Sequence, residues 1–275
     1  MKIHGNVVLK NESLLLTQIL PQWNKYPIDE WIIYDDNSTD DSIELIKKTI
    51  SSKVTVINDK RSGEFNETYC RDRMLEYSRK ENADIVIALD ADEVLSTNFV
   101  EIFNELMKEH LKYDIHYFWY NLVDDVNHYR QDPSYINNYK SFIMPVKKTG
   151  SFKEYPQINI HCPRTAPIGL PKLGTSQFGL LHFQSINVKF YALKQLWYKH
   201  WEHIGLGQSV HNINKKYDSV VNDLNFNKTK IDPALVKDIS FDKTIYDSLL
   251  KIKQYEKYIA DNKNEDLITF GKQYL

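Results

Sequence analysis

The sequence predicts an α/β fold: a mainly parallel sheet with helices on both faces, followed by a helical C-terminal extension. Three observations carry this. Across residues 3–111, apolar runs of strand length alternate with segments of helical period. Several runs, such as 85–89, are apolar throughout, as strands covered on both faces are. Beyond His182 the apolar residues recur at helical spacing.

Taken in order, residues 3–9 read as a strand, and 13–23 as a helix that stops near Pro27. Residues 31–34 form a short buried strand. Ile43, Ile46 and Ile50 mark the next helix, with Asp40 and Asp41 in its first turn, where acidic groups suit the dipole. Residues 54–57 give a third strand, and Cys70, Met74 and Tyr77 the inner stripe of a third helix. A fourth strand covers 85–89. A helix over 99–111 follows, capped by Ser96 or Thr97.

The stretch 113–183 changes character. Strands are expected at 117–120 and 142–146, among Asp- and Asn-rich loops that hold Pro133, Pro145, Pro156, Pro163, Pro167 and Pro171. Leu193, Leu196, Trp197, His200, Trp201 and Ile204 then share one helix face ending at Gly205 and Gly207. Ile245, Leu249, Ile252 and Ile259 mark a final helix. The expected organisation is an α/β domain over 1–184, split into halves 1–111 and 112–184, and a helical extension over 185–275.

Composition narrows the function. The chain has 275 residues, with 35 basic and 37 acidic side chains and a net charge of −2, so the basic excess of a general nucleic-acid binder is missing. Aromatic residues reach 13%, which suits both a core and a ligand cleft. Cys70 and Cys162 form no disulfide framework or zinc motif and read as free thiols. No run approaches the ~20 apolar residues of a membrane span, and residues 1–23 lack a signal-peptide apolar region. The sequons at Asn11, Asn37, Asn66 and Asn227 are treated as chance. The expected location is cytoplasmic, with membrane association open.

Two acidic clusters sit where a parallel sheet would place its ligand, after the carboxyl ends of strands. Asp35-Asp36-Asn37-Ser38-Thr39-Asp40 follows the second strand, and Asp90-Ala91-Asp92-Glu93 follows the fourth. Three carboxylates in four residues repel one another at the end of a buried strand, and a divalent cation would relieve that. Asp90 and Asp92, two apart on an extended backbone, point the same way. Their oxygen ligands favour Mg²⁺ or Mn²⁺. Ser38, Thr39 and Asp40 are assigned to helix capping.

Leu9-Lys10-Asn11-Glu12, Ile32 through Asp40, and Ala88-Leu89-Asp90-Ala91-Asp92-Glu93 together resemble the family 2 glycosyltransferases of the GT-A fold. Leu181-His182-Phe183-Gln184-Ser185 resembles a segment of one branch of that family. The resemblance implies a metal-dependent transferase that moves a sugar from a nucleoside-diphosphate sugar, UDP-sugar first, to an acceptor hydroxyl with inversion. It implies that Asp35 or, by preference, Asp36 contacts the base, and that Asp90 and Asp92 hold the metal on the diphosphate. His182 would complete the metal shell. Lys10 and Arg71 would lie near the nucleotide, with Arg71 offsetting phosphate charge.

The family's acidic base motif is not recognisable. Asp124, Asp125, Asp132 and Glu154 are the candidates, Glu154 before Asp125. Trp119, Tyr120, Tyr155 and Phe178 could stack on a sugar acceptor, which is taken as a glycan, a lipid-linked group or a protein. His161 is a weaker site candidate, and His200 and His203 read as packing. Lys189, Lys194 and Lys199 with Trp197 and Trp201 could rest on a membrane surface, although packing within the protein is preferred. Two rivals remain. Val86 through Leu95 also resembles the nucleophile motif of haloacid-dehalogenase-type phosphatases, with Asp90 attacking phosphorus, but the order of the acidic motifs argues against it. A non-catalytic nucleotide- or carbohydrate-binding protein is the other.

Overall fold

The computed structural model describes residues 1–59, 65–155, 161–221 and 224–275; Pro156 lies outside them. In chain order the elements are β1 (Ile3–Leu9), α1 (Ser13–Trp23), β2 (Glu30–Asp35), α2 (Ser42–Thr49), β3 (Lys53–Ile57), α3 (Glu67–Lys80), β4 (Ile85–Asp90), β5 (Glu93–Leu95), α4 (Thr97–Glu101) and α5 (Phe103–His110). These are followed by β6 (Asp114–Val123), β7 (Asp125–Arg130), β8 (Tyr139–Lys140), β9 (Ile143–Pro145), β10 (Lys172–His182), α6 (Val188–Leu206), α7 (Val210–Val221), β11 (Lys228–Lys230), α8 (Pro233–Val236) and α9 (Leu250–Asp261). The chain divides into two compact units, 1–119 with 139–181, and 120–138 with 182–275.

The first unit is built on a sheet of order β3-β2-β1-β4-β9. Its first four strands are parallel and β9 is antiparallel to β4. The apolar runs explain this: β2 is buried along its whole length and β4 up to Leu89, so both faces must be covered. Tyr34 and Ile32 face Cys70 and Met74 of α3. On α1, Trp23 stacks on Trp31 at 4.8 Å between ring centres. Gly5 makes room for that pair, since a Cβ there would lie 2.5 Å from the Trp31 ring. The order reverses between β1 and β4, and such switch points leave a crevice beyond the carboxyl ends of the strands. A further group in this unit runs β8-β6-β10-β5, backed by Phe99, Tyr117, Phe142 and Phe178.

In the second unit, the end of β6 pairs with β7 across a bulge at Leu122 and Val123, and β7 pairs with β11. Arg130 is buried there; it donates to Asp132 at 2.7 Å, the Tyr191 hydroxyl at 2.9 Å and the Val220 carbonyl at 2.7 Å. α6 is capped by Asn187, whose side chain accepts from Phe190 N at 2.9 Å. It ends at Gly207 with φ +64°, a left-handed position that suits glycine. α6 packs against α7 and α9.

The structure corrects several expectations. The helix foreseen over 99–111 is two helices, α4 and α5. The final helix starts at Leu250, with Ile245 in a separate 3₁₀ turn, Lys243–Ser248. β10 carries no strand signal in the sequence because Lys172–Gln177 is largely exposed and polar and only its last residues are apolar and buried. α7 carries only a weak helical signal because Asn and Lys dilute its stripe of Ile213, Tyr217 and Val221. Lys199 is buried, donating to Asp218 at 2.8 Å and Thr269 at 2.7 Å, so it cannot belong to a membrane-facing surface. Among the described residues, no helix is long and apolar enough to cross a membrane.

Candidate functional site

The loops after β1 and β2 are knitted together by side-chain hydrogen bonds to backbone N–H groups. Asn11, at φ +52°, accepts from Thr39 N at 2.7 Å, and its own N–H donates to Ser38 Oγ at 3.0 Å. Asp40 accepts from Ser13 N at 2.9 Å and Ser42 Oγ accepts from Glu12 N at 2.8 Å. The polar run after β2 therefore serves the start of α1, while Asp40 also accepts from Ser42 N, at the start of α2, at 3.1 Å. Ser38 and Thr39 do not cap α2, whose N-cap, Asp41, makes no side-chain capping bond. Burial works against the Asp40 carboxylate, but the bonds from Ser42 and Ser13 outweigh it and hold its pKa below the ordinary range.

Asp35 ends β2 and is buried. It accepts from Ser38 N and from Asn58 Nδ2, both at 2.9 Å. Asp36, half-buried, meets exposed Lys10 at 3.1 Å. Asp36 is thus the carboxylate of the pair nearer to solvent.

The loop after β4 is nailed down from α1 and the segment behind it. Trp23 Nε1 donates to the Glu93 carbonyl at 2.9 Å, and Leu95 N donates to the Tyr26 hydroxyl at 2.8 Å. Ser96 stands at the N-cap of α4 without capping it. Its hydroxyl accepts from Gly179 N and donates to Asn98 instead. Glu93 is fully buried; it accepts from Asp90 N and from Trp119 Nε1, each at 2.8 Å.

Asp90 is held by two guanidinium groups. Arg71 Nη2 donates to Oδ1 at 2.8 Å and Arg164 Nη2 to Oδ2 at 2.5 Å. Arg71 is no surface residue: it is buried on α3 and also grips Glu67 through Nε at 2.8 Å and Nη2 at 2.6 Å. Arg164 also grips Glu93 through Nε and Nη2 and lies over the Trp119 ring, 4.9 Å from its centre. Burial would raise the Asp90 pKa, but the charges of Arg164 and then Arg71 dominate and lower it, against repulsion from Asp92. Lys140, over the other cation's ring partner Trp119 at 5.3 Å, has its pKa lowered by burial and then by Arg164.

Could these residues hold a divalent cation? Among the described residues, no group of three or more His, Cys, Asp or Glu forms a metal shell. Mg²⁺ and Mn²⁺ commonly take one or two carboxylates and complete their shell with substrate phosphates and water. Glu67, Asp90 and Glu93 pair with the guanidiniums of buried Arg71 and half-buried Arg164, and Asp92 adds a negative charge beside Asp90, so negative charge is in excess at this strand end. That donor set fits a hard cation that arrives with its phosphates, with buried Asp92 beside Asp90 as its carboxylate.

The other expected residues have these surroundings. Glu154 is exposed and its carboxylate accepts from Ser151 N at 2.7 Å, closing a capping box on a 3₁₀ turn. Asp125, in the second unit, accepts from His128 Nδ1 at 2.8 Å and Asn127 N at 2.7 Å; burial opposes its charge, but these bonds lower its pKa. His182, also in the second unit, is buried with Nδ1 2.8 Å from Asn121 Oδ1. His161 is exposed with φ +66°. His200 is packed as expected, its Nδ1 donating to the Leu196 carbonyl at 2.8 Å. Cys70 and Cys162 are buried, and no disulfide joins them. Arg164, Glu67 and the indole of Trp119 were not foreseen in these roles. A single Arg in a proline-rich loop carries no periodic or motif signal.

Residues 11–168, more than half of the chain, match the sequence model of the family Glycosyl transferase family 2. No curated protein matches the chain. Similar solved structures include S. aureus TarS, at 13% identity and a TM-score of 0.46, covering 74% of this chain and 40% of that one. TarS 1–349 in complex with UDP-GlcNAc is similar at 13% identity and a TM-score of 0.45, covering 100% of this chain and 91% of that one. Glucosyl-3-phosphoglycerate synthase from Mycobacterium tuberculosis, in complex with Mn²⁺, UDP and glucosyl-3-phosphoglycerate, shares 18% identity at a TM-score of 0.31, covering 43% of this chain and 44% of that one.

Proposed function

The chain belongs to glycosyl transferase family 2, and from that premise we propose that it transfers a sugar from a nucleoside-diphosphate sugar, UDP-sugar first, to an acceptor hydroxyl. One observation carries the reading. Asp35 and Asp36, Lys10, and Asp90 with Asp92 all stand at carboxyl ends of β1, β2 and β4, the parallel strands on either side of the switch point. Family membership leaves the phosphatase reading without support. Asp90 is also poorly placed as a nucleophile, with a guanidinium on each oxygen.

In this reading Asp36 accepts from the base and Lys10 stays near the nucleotide, while buried Asp35 shapes the loop through Ser38 and Asn58. Asp92 and Asp90 would hold Mn²⁺ or Mg²⁺. Such a cation supplies charge to offset the negative charge that grows on the leaving diphosphate. Arg71 supports the same end by fixing Asp90 and adding positive charge behind it. Transfer is proposed to invert the anomeric carbon in one displacement, with a carboxylate taking the acceptor proton. Glu154 is the first candidate in the catalytic unit, provided its bond to Ser151 N is given up. The acceptor class is proposed only as a glycan, lipid-linked or protein hydroxyl.

A thermal-shift panel of UDP, GDP and CMP, each with and without Mn²⁺, tests the donor. A ligand at 100 times its Kd stabilises by about 2.7 kcal/mol, or about 5–10 °C at this size. Such a shift with UDP and Mn²⁺, lost in Asp92→Ala, is expected. No shift with any nucleotide would sink the proposal. NMR of the transferred sugar's anomeric proton settles inversion, and a retained configuration would refute the single displacement.

A further inference from the structure

Two arginines on one carboxylate are more than Asp90 needs for charge balance, and each is itself constrained. Arg71 is 3% exposed, and its Nη1 is buried with no hydrogen-bond partner among the described residues. A buried cationic donor left without an acceptor is rare in folded proteins, and a bound anion would satisfy it. Arg164 engages Asp90 and Glu93 through Nε and Nη2, and Nη1 carries none of these bonds. Its guanidinium is stacked over Trp119, whose Nε1 is bonded to Glu93. Glu93 in turn accepts from Asp90 N. The indole and both carboxylates thus hold a planar, permanently charged fork at the strand end proposed for the diphosphate.

That fork also occupies Asp90 Oδ2, an oxygen that a cation would use. A guanidinium and a divalent cation compete for the same lone pairs, and phosphate oxygens are the other acceptors a guanidinium matches in bidentate geometry. Resting on the donor site proposed above, we infer that Arg164 is a donor-binding residue that exchanges partners. It neutralises Asp90 and Glu93 while the donor is away and, together with Arg71, binds the diphosphate oxygens when the donor is present, which frees Asp90 for the cation. Cation and nucleotide then favour each other's binding through Arg164, and the coupling is reciprocal.

The exchange is tested by Mn²⁺ binding, read from the EPR signal of free Mn²⁺, and by UDP binding in calorimetry. Wild type, Arg164→Gln and Arg164→Lys are compared. In wild type, UDP should raise Mn²⁺ affinity about tenfold, within the usual range of coupling between sites. Arg164→Gln should bind Mn²⁺ alone more tightly, by about fivefold or more, yet bind UDP about tenfold more weakly, with the coupling largely lost. Opposite changes in two affinities are not what a merely structural residue produces. Arg164→Lys, which keeps the charge without the fork, should fall between the two and serves if the Gln variant does not fold. Equal weakening of both ligands, or both affinities within twofold of wild type, overturns the inference. Failure of the wild type itself to bind UDP would instead overturn the donor site on which it rests.

Discussion

His110 closes α5 with no solvent exposure, and its Nε2 lies 2.9 Å from the Tyr117 hydroxyl. Nδ1 is buried without a partner among the described residues, so a proton there would meet no acceptor. Burial pushes the pKa down to about 3, whereas in the unfolded chain the ring titrates near ~6.5. A depressed folded pKa means that the unfolded state binds the extra proton first. The stability His110 contributes is therefore complete above about pH 6.5 and is lost as pH falls towards 3. At pH 5 the unfolded ring sits about 1.5 units below its pKa; at 1.36 kcal/mol per unit, about 2 kcal/mol of stability is lost relative to pH 7. His110→Gln keeps a polar neighbour for Tyr117 and does not titrate. Urea denaturation at pH 7, 6 and 5 should show the wild-type advantage over this variant shrinking by about 2 kcal/mol. His4 and His200, whose pKa values burial also lowers, are present in both proteins and cancel in the comparison. A gap that stays constant across this range would show that His110 is not held neutral by burial.

Arg71→Met leaves Glu67 without its cationic partner and Asp90 with only one of its two guanidiniums. Breaking a buried pair costs about 3–5 kcal/mol, reduced here to about 2–4 kcal/mol because Asp90 is 35% exposed and keeps Arg164. Urea denaturation measures this, and a loss below about 1 kcal/mol would mean that Arg71 is not the anchor its geometry indicates. Asn11→Ala removes the bond to Thr39 N and places alanine at φ +52°, so it should cost about 1–2 kcal/mol in the same assay. Asn11→Gly relieves the backbone part and should recover some of it; equal losses in both variants would show that the backbone conformation contributes nothing.

The parallel sheet was legible because burial on both faces leaves a mark in the chain: β2 and β4 are continuous apolar runs, and a strand has no other way to be covered twice. The acidic residues after them were legible for a related reason, since charge directly after a fully apolar strand is an abrupt, local signal. The caps were not. Ser38 and Ser42 stand near the start of α2 in the chain but accept from the N–H groups of Asn11 and Glu12, and Asp40 accepts from Ser13 N as well as from Ser42 N, because parallel β1 and β2 bring their following loops together. β10 was hidden by an exposed, polar first half, which strips the pattern that identifies a strand.

By itself, then, the sequence determined the order of strands and helices from β1 to β4, the family, and the carboxylates at the strand ends, all of which rest on neighbours in the chain. Only the tertiary structure decided what those carboxylates touch. Asp90 and Arg164 are 74 residues apart and Glu93 and Arg164 are 71 apart. No periodicity encodes such a pair. It exists because the fold carries a proline-rich loop to the end of β4, where the cost of burying several carboxylates can be met only by positive charge brought from elsewhere in the chain.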